Sequence, residues 1–386
     1  DDISINNNTK FKVFYPPSRR NAGEIFINEF LQEFNFLTPD SRMINVEFGK
    51  IAKIKMILQD DINKEFLEKN ERVEGPIIES NEYIKYQFPD KIDELKKFPV
   101  YDVSFALPKI KNSKWSMRSK NNFNDSLVAM NLLYPVYFDN IEKHGENRKS
   151  RSNIHANFNY LYTDTKKKIL QLDCLAGIIH LPHLSILSNR IFYYNMHKHI
   201  IEPIVYDTNF TYRELKKNQI KKDYNKKNNC EIESLKEIKE IFKKIDKISF
   251  FEKLKEKGIN SNQAKEIYKI IENNFENYKA NKKNKILNKH HDLNQESLDN
   301  FFRKYYDYNK QLKFKILISQ DATNFLICEI DKKCKNSNLN ENDKRKALDG
   351  ELFKEDTFYQ LISTKKYNLK SFYSKNNINI FTIGSF

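Results

Sequence analysis

Between Glu231 and Gly258 an apolar residue returns every three or four positions, at Leu235, Ile238, Ile241, Ile245 and Ile248. That spacing lines them along one side of a helix and leaves the intervening lysines and glutamates facing water. Glu240 and Lys244 add an ion pair at helical spacing. Gly258 ends the pattern, and Ser261 or Asn262 is placed to cap a second helix carrying Ile267, Ile270, Ile271, Phe275 and Tyr278. A third stretch, 296–312, is aromatic on one side. A helix with one apolar side must bury it, so residues 231–312 predict a helical hairpin or small bundle set into the rest of the chain.

The flanking sequence reads differently. "FKVFY" (11–15) predicts a short strand stopped by Pro16-Pro17, and residues 21–34 predict a helix with Ile25, Phe26, Phe30 and Phe34 inward. Residues 43–58 alternate at Ile44, Val46 and Phe48 and restart after Gly49, which reads as a strand with a bulge or a turn. "EYIKYQFP" and "PVYDVSFALP" predict further strands closed by proline, and 126–138 is apolar core. Residues 168–187, broken by Gly177 and Pro182, read as strand, turn, then strand or helix. Residues 213–230 read as a polar loop. "KFKILIS" and "NFLICEI" are strands, 341–365 a charged helix, and "INIFTIGSF" a last strand. The fold class is α+β, multi-domain, with mixed sheets and a helical insertion. The expected divisions are an N-terminal α+β domain (1–110), a basic central α/β domain (111–230), the charged helical segment (231–312) and a C-terminal α/β portion (313–386).

Length and composition narrow the function. A chain of 386 residues can bury a real core without cross-links. Cys174, Cys230, Cys328 and Cys334 include no CxxC pair, which argues against structural zinc or a disulfide framework and favours a reducing intracellular compartment. No run of about 18 apolar residues predicts a membrane span. The chain begins with Asp, so a processed end is expected and a targeting segment would already be gone. No GxGxxG, P-loop, GxSxG or HExxH occurs, which removes support from nucleotide-fuelled motors, Rossmann oxidoreductases and common hydrolases.

Net charge is +15 and unevenly laid out. Residues 1–110 hold 16 Lys+Arg against 19 Asp+Glu, whereas 111–386 hold 51 against 33. A positive field over the last two-thirds points to a polyanion, nucleic acid first and an acidic lipid surface second. The sharpest local feature is an acid-free run between Asp102 and Asp125, where Lys109, Lys111, Lys114, Arg118 and Lys120 surround the only tryptophan, Trp115, with Phe123 following. Cations neutralise phosphates and an exposed ring stacks on an unpaired base, so the pattern suits single-stranded or looped RNA; the other reading is an exposed lysine-rich loop with Trp115 tucked into the core. Arg148, Lys149 and Arg151 extend the basic region.

Catalytic chemistry has two footholds. Arg148 and His155 could act on a ribose 2′-OH, the imidazole moving the proton and the guanidinium steadying the phosphorane. This spacing, repeated at Arg190 and His197, resembles the Arg–(four to six)–His motif of HEPN-type ribonucleases, although the polar residue usual after that arginine is missing. The second is "ILISQDATNFLICEIDKK" (316–333). On one continuous strand Glu329, Asp331 and Lys333 would share a face, with Asp321 at the preceding turn. This resembles the PD-(D/E)xK nuclease hairpin. The resemblance implies Mg²⁺ or Mn²⁺ held by Asp321 and Asp331, Lys333 beside the attacking water, and Gln360 on a later helix. It covers 13 residues well, and Gln320 replaces the usual proline. His180, His183, His197, His199, His290 and His291 lack partners at zinc-ligand spacing and read as hydrogen-bonded or helix-ending residues.

The leading expectation is an RNA-binding protein acting on or assembled with structured RNA. One alternative is a nuclease, metal-dependent or metal-free. The other is a non-catalytic subunit that docks a protein partner on helices within 231–289.

Overall fold

The structure is a computed structural model. It describes residues 9–19, 23–49, 52–80, 108–146, 158, 161, 163–208, 210 and 230–279, with Arg345 and short strands inside 313–362. The fold is α+β. The chain divides into two compact units, one of residues 1–74, 163–191 and 202–287, the other of 75–162, 192–201 and 288–386.

In the first unit, β1 (Phe11–Phe14), β2 (Ser41–Phe48) and β3 (Ala52–Asp60) form an antiparallel sheet in the order β1-β3-β2. The β2–β3 turn holds Gly49 at φ +56°, a left-handed conformation that glycine adopts without a Cβ penalty. Helix α1 (Gly23–Gln32) lies earlier in the chain, and α2 (Lys64–Lys69) follows the sheet, opened by the Asn63 side chain accepting from Phe66 N. Helices α7 (Ile232–Lys243), α8 (Lys247–Glu256) and α9 (Ser261–Asn277) complete the charged segment.

The apolar sides of these last helices close on this unit's own core. Phe26 and Phe30 of α1, with Phe34 just after it, pack with Phe242, Phe250, Tyr268 and Phe275, and the Phe242 and Phe275 rings stack at 4.0 Å. Each buried ring contributes roughly 1.5–3 kcal/mol, so the helices belong to this core rather than standing apart as a bundle. The stripe also breaks earlier than its period suggests. Asp246 accepts from Ile248 N at 3.0 Å and Ser249 N at 3.3 Å and starts a new helix, leaving Ile248 74% exposed. The next helix is capped by Asn260, one residue before Ser261 and two before Asn262, the expected caps.

Residues 163–178, expected partly as strand, form helix α5 (Thr163–Ile178). Ile169, Leu170, Leu172, Cys174, Leu175, Ala176 and Ile178 are all buried, so nearly every side of its second half is apolar and no helical period shows. The helix stops before His180, which sits at φ +55°, and Pro182 opens the short α6 (Pro182–Ser185). Cys174 of α5 is bonded to Cys230, just before α7, although the scattered cysteines argued against disulfides. The partners are 56 positions apart, and only the packing of α5 with α7 brings them together.

A second sheet, ordered β5-β4-β6-β7, is formed by β4 (Ile77–Ser80), β5 (Pro108–Ile110), β6 (Ile191–Asn195) and β7 (Ile200–Ile204); β4, β5 and residues 192–201 of it belong to the second unit. Gly75 permits the approach of β4 to β6: a Cβ there would lie 3.0 Å from the Tyr193 ring. The single turn α3 (Ser113–Ser116) and the long α4 (Lys120–Glu146) follow β5.

Near the C-terminus, β8 (Lys313–Ser319), β9 (Phe325–Glu329), β10 (Lys335–Ser337), β11 (Leu352–Phe353) and β12 (Thr357–Ile362) form a mixed sheet ordered β10-β9-β8-β12-β11. Strand β12 runs parallel to β8 and the other pairs are antiparallel. The helix expected over 341–365 is therefore replaced in part by β11 and β12. The expected strands at 81–107 and 378–386, and the helix at 296–312, lie outside the described residues. Among the described residues no helix is long and apolar enough to cross a membrane.

Candidate nucleic-acid interface

The acid-free run from Pro108 to Phe123 folds as strand, turn and helix start. Across β4 and β5, Glu79 faces Lys109, and its carboxylate takes ion pairs from Lys109 at 3.3 Å and Lys111 at 3.2 Å. The Asn112 amide then ties the strand ends together, donating to Gly75 O at 2.9 Å and accepting from Ile77 N at 2.9 Å. This side-chain bridge replaces a backbone ladder where the chain turns away from the sheet.

Trp115 and Arg118 mark the two faces of the turn that follows. Ser113, Trp115 and Ser116 are buried, while Lys114, Arg118, Ser119 and Lys120 are exposed. Side chains clamp α3 to α4. The Ser116 and Ser126 hydroxyls lie 2.6 Å apart, the Asn122 amide donates to Trp115 O at 3.0 Å, and Ser119 Oγ accepts from Asn122 N at 3.1 Å. The cations thus project from a braced corner. Lys120 opens a helix with no acid in its first turn, a placement that costs a few tenths of a kcal/mol against the helix dipole.

Of the contact residues read from the sequence, Lys111, Lys114, Arg118 and Lys120 come together on this corner. Trp115 is there too, but only 6% exposed, and Phe123 is 4% exposed. Of the two readings of this ring, the structure has the one in which it is packed inside the unit. The sequence shows a tryptophan among lysines but not which side of the turn the sheet covers. Arg148 and Arg151 lie outside the described residues.

The nuclease residues are largely out of view. Asp321, Asp331, Lys333, Arg148 and His155 lie outside the described residues. Glu329 ends β9 and is paired in register with Lys315 of β8. The described strand stops there, and Lys335 of β10 already pairs back onto Ile327, so the continuous strand to Lys333 on which the resemblance drew is not among the described elements. Gln360, expected on a helix, lies on β12 opposite Ile316. In the second Arg–His copy, Arg190 is 3% exposed and donates to Leu184 O and Asp173, so its guanidinium holds the fold. His197 is exposed. His183 lies 3.2 Å from the Asn189 amide, and His199 lies 3.1 Å from Tyr194 OH. Burial lowers the His180 pKa. His290 and His291 lie outside the described residues. No group of three metal-ligating side chains occurs among the described residues.

Sequence reasoning also missed a polar cleft of about 510 Å³ in the first unit, lined by Gln32, Thr38, Asp40, Arg42, Asp60, Lys69, Asn70 and Lys257. Its cations are matched to acids, Arg42 and Lys257 to Asp40 and Lys69 to Asp60. With the charges paired, the lining works as a clasp between segments far apart in sequence, and no local pattern could have revealed it.

Comparison with protein-family models and with curated proteins finds no match for this chain.

Proposed function

We propose that the chain binds RNA through the basic corner carrying Lys111, Lys114, Arg118 and Lys120, with Arg148 and Arg151, which follow α4 in sequence, as separate candidate contacts. The observation that supports this most is the braced turn between β5 and α4, which holds Lys114, Arg118 and Lys120 outward in a run without acids. Lys109 and Lys111 share Glu79, so part of their charge is already matched. A phosphate seated near Lys120 would also relieve its unfavourable place at the start of α4.

The test is a native gel with labelled structured RNA. Affinity should fall steeply as salt rises, and Lys114→Glu should weaken binding by roughly tenfold, the weight of one lost and one reversed phosphate contact. Running the same mixtures on denaturing gels with Mg²⁺ or EDTA reads cleavage. Metal-dependent cutting would move the chain to the nuclease class, and EDTA-resistant cutting would turn attention to Arg148 and His155. Absence of any shift at low salt would defeat the RNA-binding reading.

A further inference from the structure

We propose that this corner, granted the RNA-binding role above, grips the sugar–phosphate backbone alone and therefore holds paired and unpaired RNA alike. Stacking requires an aromatic face open to solvent. Trp115 and Phe123 are closed, at 6% and 4% exposure. The Trp115 backbone is held in the corner, its O accepting from the Asn122 amide and its N donating to Asn112 O, so the ring reaches solvent only by leaving its buried position. The side chains left outside are Lys114, Arg118, Ser119, Lys120 and Asn121, which offer positive charge and polar hydrogen-bonding groups.

Among the residues of this unit whose side chains are described, no Phe, Tyr or Trp ring is open. The large apolar side chains exposed among the described residues are Phe11, Val13, Tyr15, Ile54, Val73, Ile186, Ile232 and Ile248, and all belong to the other unit. A surface that meets only phosphates reads charge density. A duplex carries roughly one charge per 1.7 Å of its axis, more than a lone strand, so pairing should not weaken the contact. Base identity should matter little, because phosphate contacts position a nucleic acid without reading its sequence.

The experiment uses the full chain and fluorescence anisotropy. One labelled RNA of about 20 nucleotides is offered as an unstructured single strand and annealed to its complement, in EDTA, between roughly 50 and 200 mM salt. Emission from Trp115, the only tryptophan, is followed in parallel. The expected result is duplex binding at least as tight as single-strand binding, no quenching of Trp115, and a loss of roughly 40-fold across the salt range, the value for three neutralised phosphates. Lys114→Ala should reduce the salt slope by about one third.

A preference of about tenfold or more for the single strand, with Trp115 quenched, would overturn this inference while keeping the RNA-binding role. Binding retained at full strength by a Lys114→Ala/Arg118→Ala/Lys120→Ala variant whose Trp115 emission is unchanged would overturn the assignment to this corner. No anisotropy change with either RNA at the lowest salt would overturn the RNA-binding role itself.

Discussion

Lys257, just past the end of α8, donates to Glu29 on α1 across 228 positions of sequence, and the same ammonium reaches Asp40. Glu29 is 5% and Lys257 17% exposed at the side chain. Removing one member of so buried a cluster strands the others. Lys257→Met should cost about 3–5 kcal/mol in urea unfolding. The pH dependence has a fixed sign. Burial resists ionisation of Asp40, but Lys257 and Arg42 outweigh it and hold the carboxyl below its ordinary 3.8. Its contribution is present above that value and lost as pH falls through the lower folded one. The variant should show less acid sensitivity of its own.

Lys168 supplies the opposite slope. Burial pushes its pKa down to about 8, with Arg72 assisting and Glu202 opposing. Its ammonium donates to Phe34 O at 2.8 Å and lies over the Phe36 ring. Between about 8 and 10.5 the unfolded chain binds this proton and the folded chain does not, so this residue makes stability rise with pH. Urea midpoints of the native chain and Lys168→Met, measured from pH 7 to 10.5, should show that rise in the native chain only. Parallel curves would refute the assignment.

Arg190 and His197 share a motif spacing and should behave as strangers. Arg190→Met breaks a fully buried pair with Asp173 and should lose about 3–5 kcal/mol of stability. His197→Ala removes an exposed ring and should stay within about 0.5 kcal/mol of the native chain. Thermal melts of both variants check this.

The Cys174–Cys230 bond closes a long loop, and its loss should cost roughly 4 kcal/mol through the unfolded chain's entropy. Melting with and without reductant, with peptide mapping of the bonded pair, tests this. A Cys174→Ala/Cys230→Ala variant insensitive to reductant completes the control.

Gly258 sits at φ +84°, and a Cβ there would lie 2.8 Å from Cβ of Met43. Both the backbone angle and the contact oppose a side chain. Gly258→Ala should destabilise by more than the roughly 1–2 kcal/mol of left-handed strain alone. A melting temperature equal to that of the native chain would show that the turn can open.

Elements with a clean period were legible in advance. Helix α1 and the strands on either side of Gly49 follow from spacing, because one face of each is apolar and the other is not, while spacing alone left a bulge or a turn open at Gly49. Helix α5 was not legible, since burial on nearly all sides erases its period. The break at Asp246 was hidden because a cap is one side chain accepting two N–H groups, a small signal inside a strong stripe. At the candidate interface the charges were readable and the burial of Trp115 was not. Composition records that a ring is present; only the sheet behind it fixes which way it turns. The bonds from Lys257 to Glu29 and from Cys174 to Cys230 are tertiary facts, set by packing between segments with no local signal in common.

The meeting of Met43 with the end of α8 bears on solubility. β2 is an outer strand of its sheet, and an outer strand offers unpaired N–H and C=O groups to any passing chain. Met43 N is already occupied, donating to Lys257 O at 2.9 Å, and Gly258 is small enough to let that stretch lie flush against the strand. The segment after α8 therefore acts as a bumper on this rim of the sheet. A variant that lifts it away should first be noticed as self-association, before any loss of secondary structure.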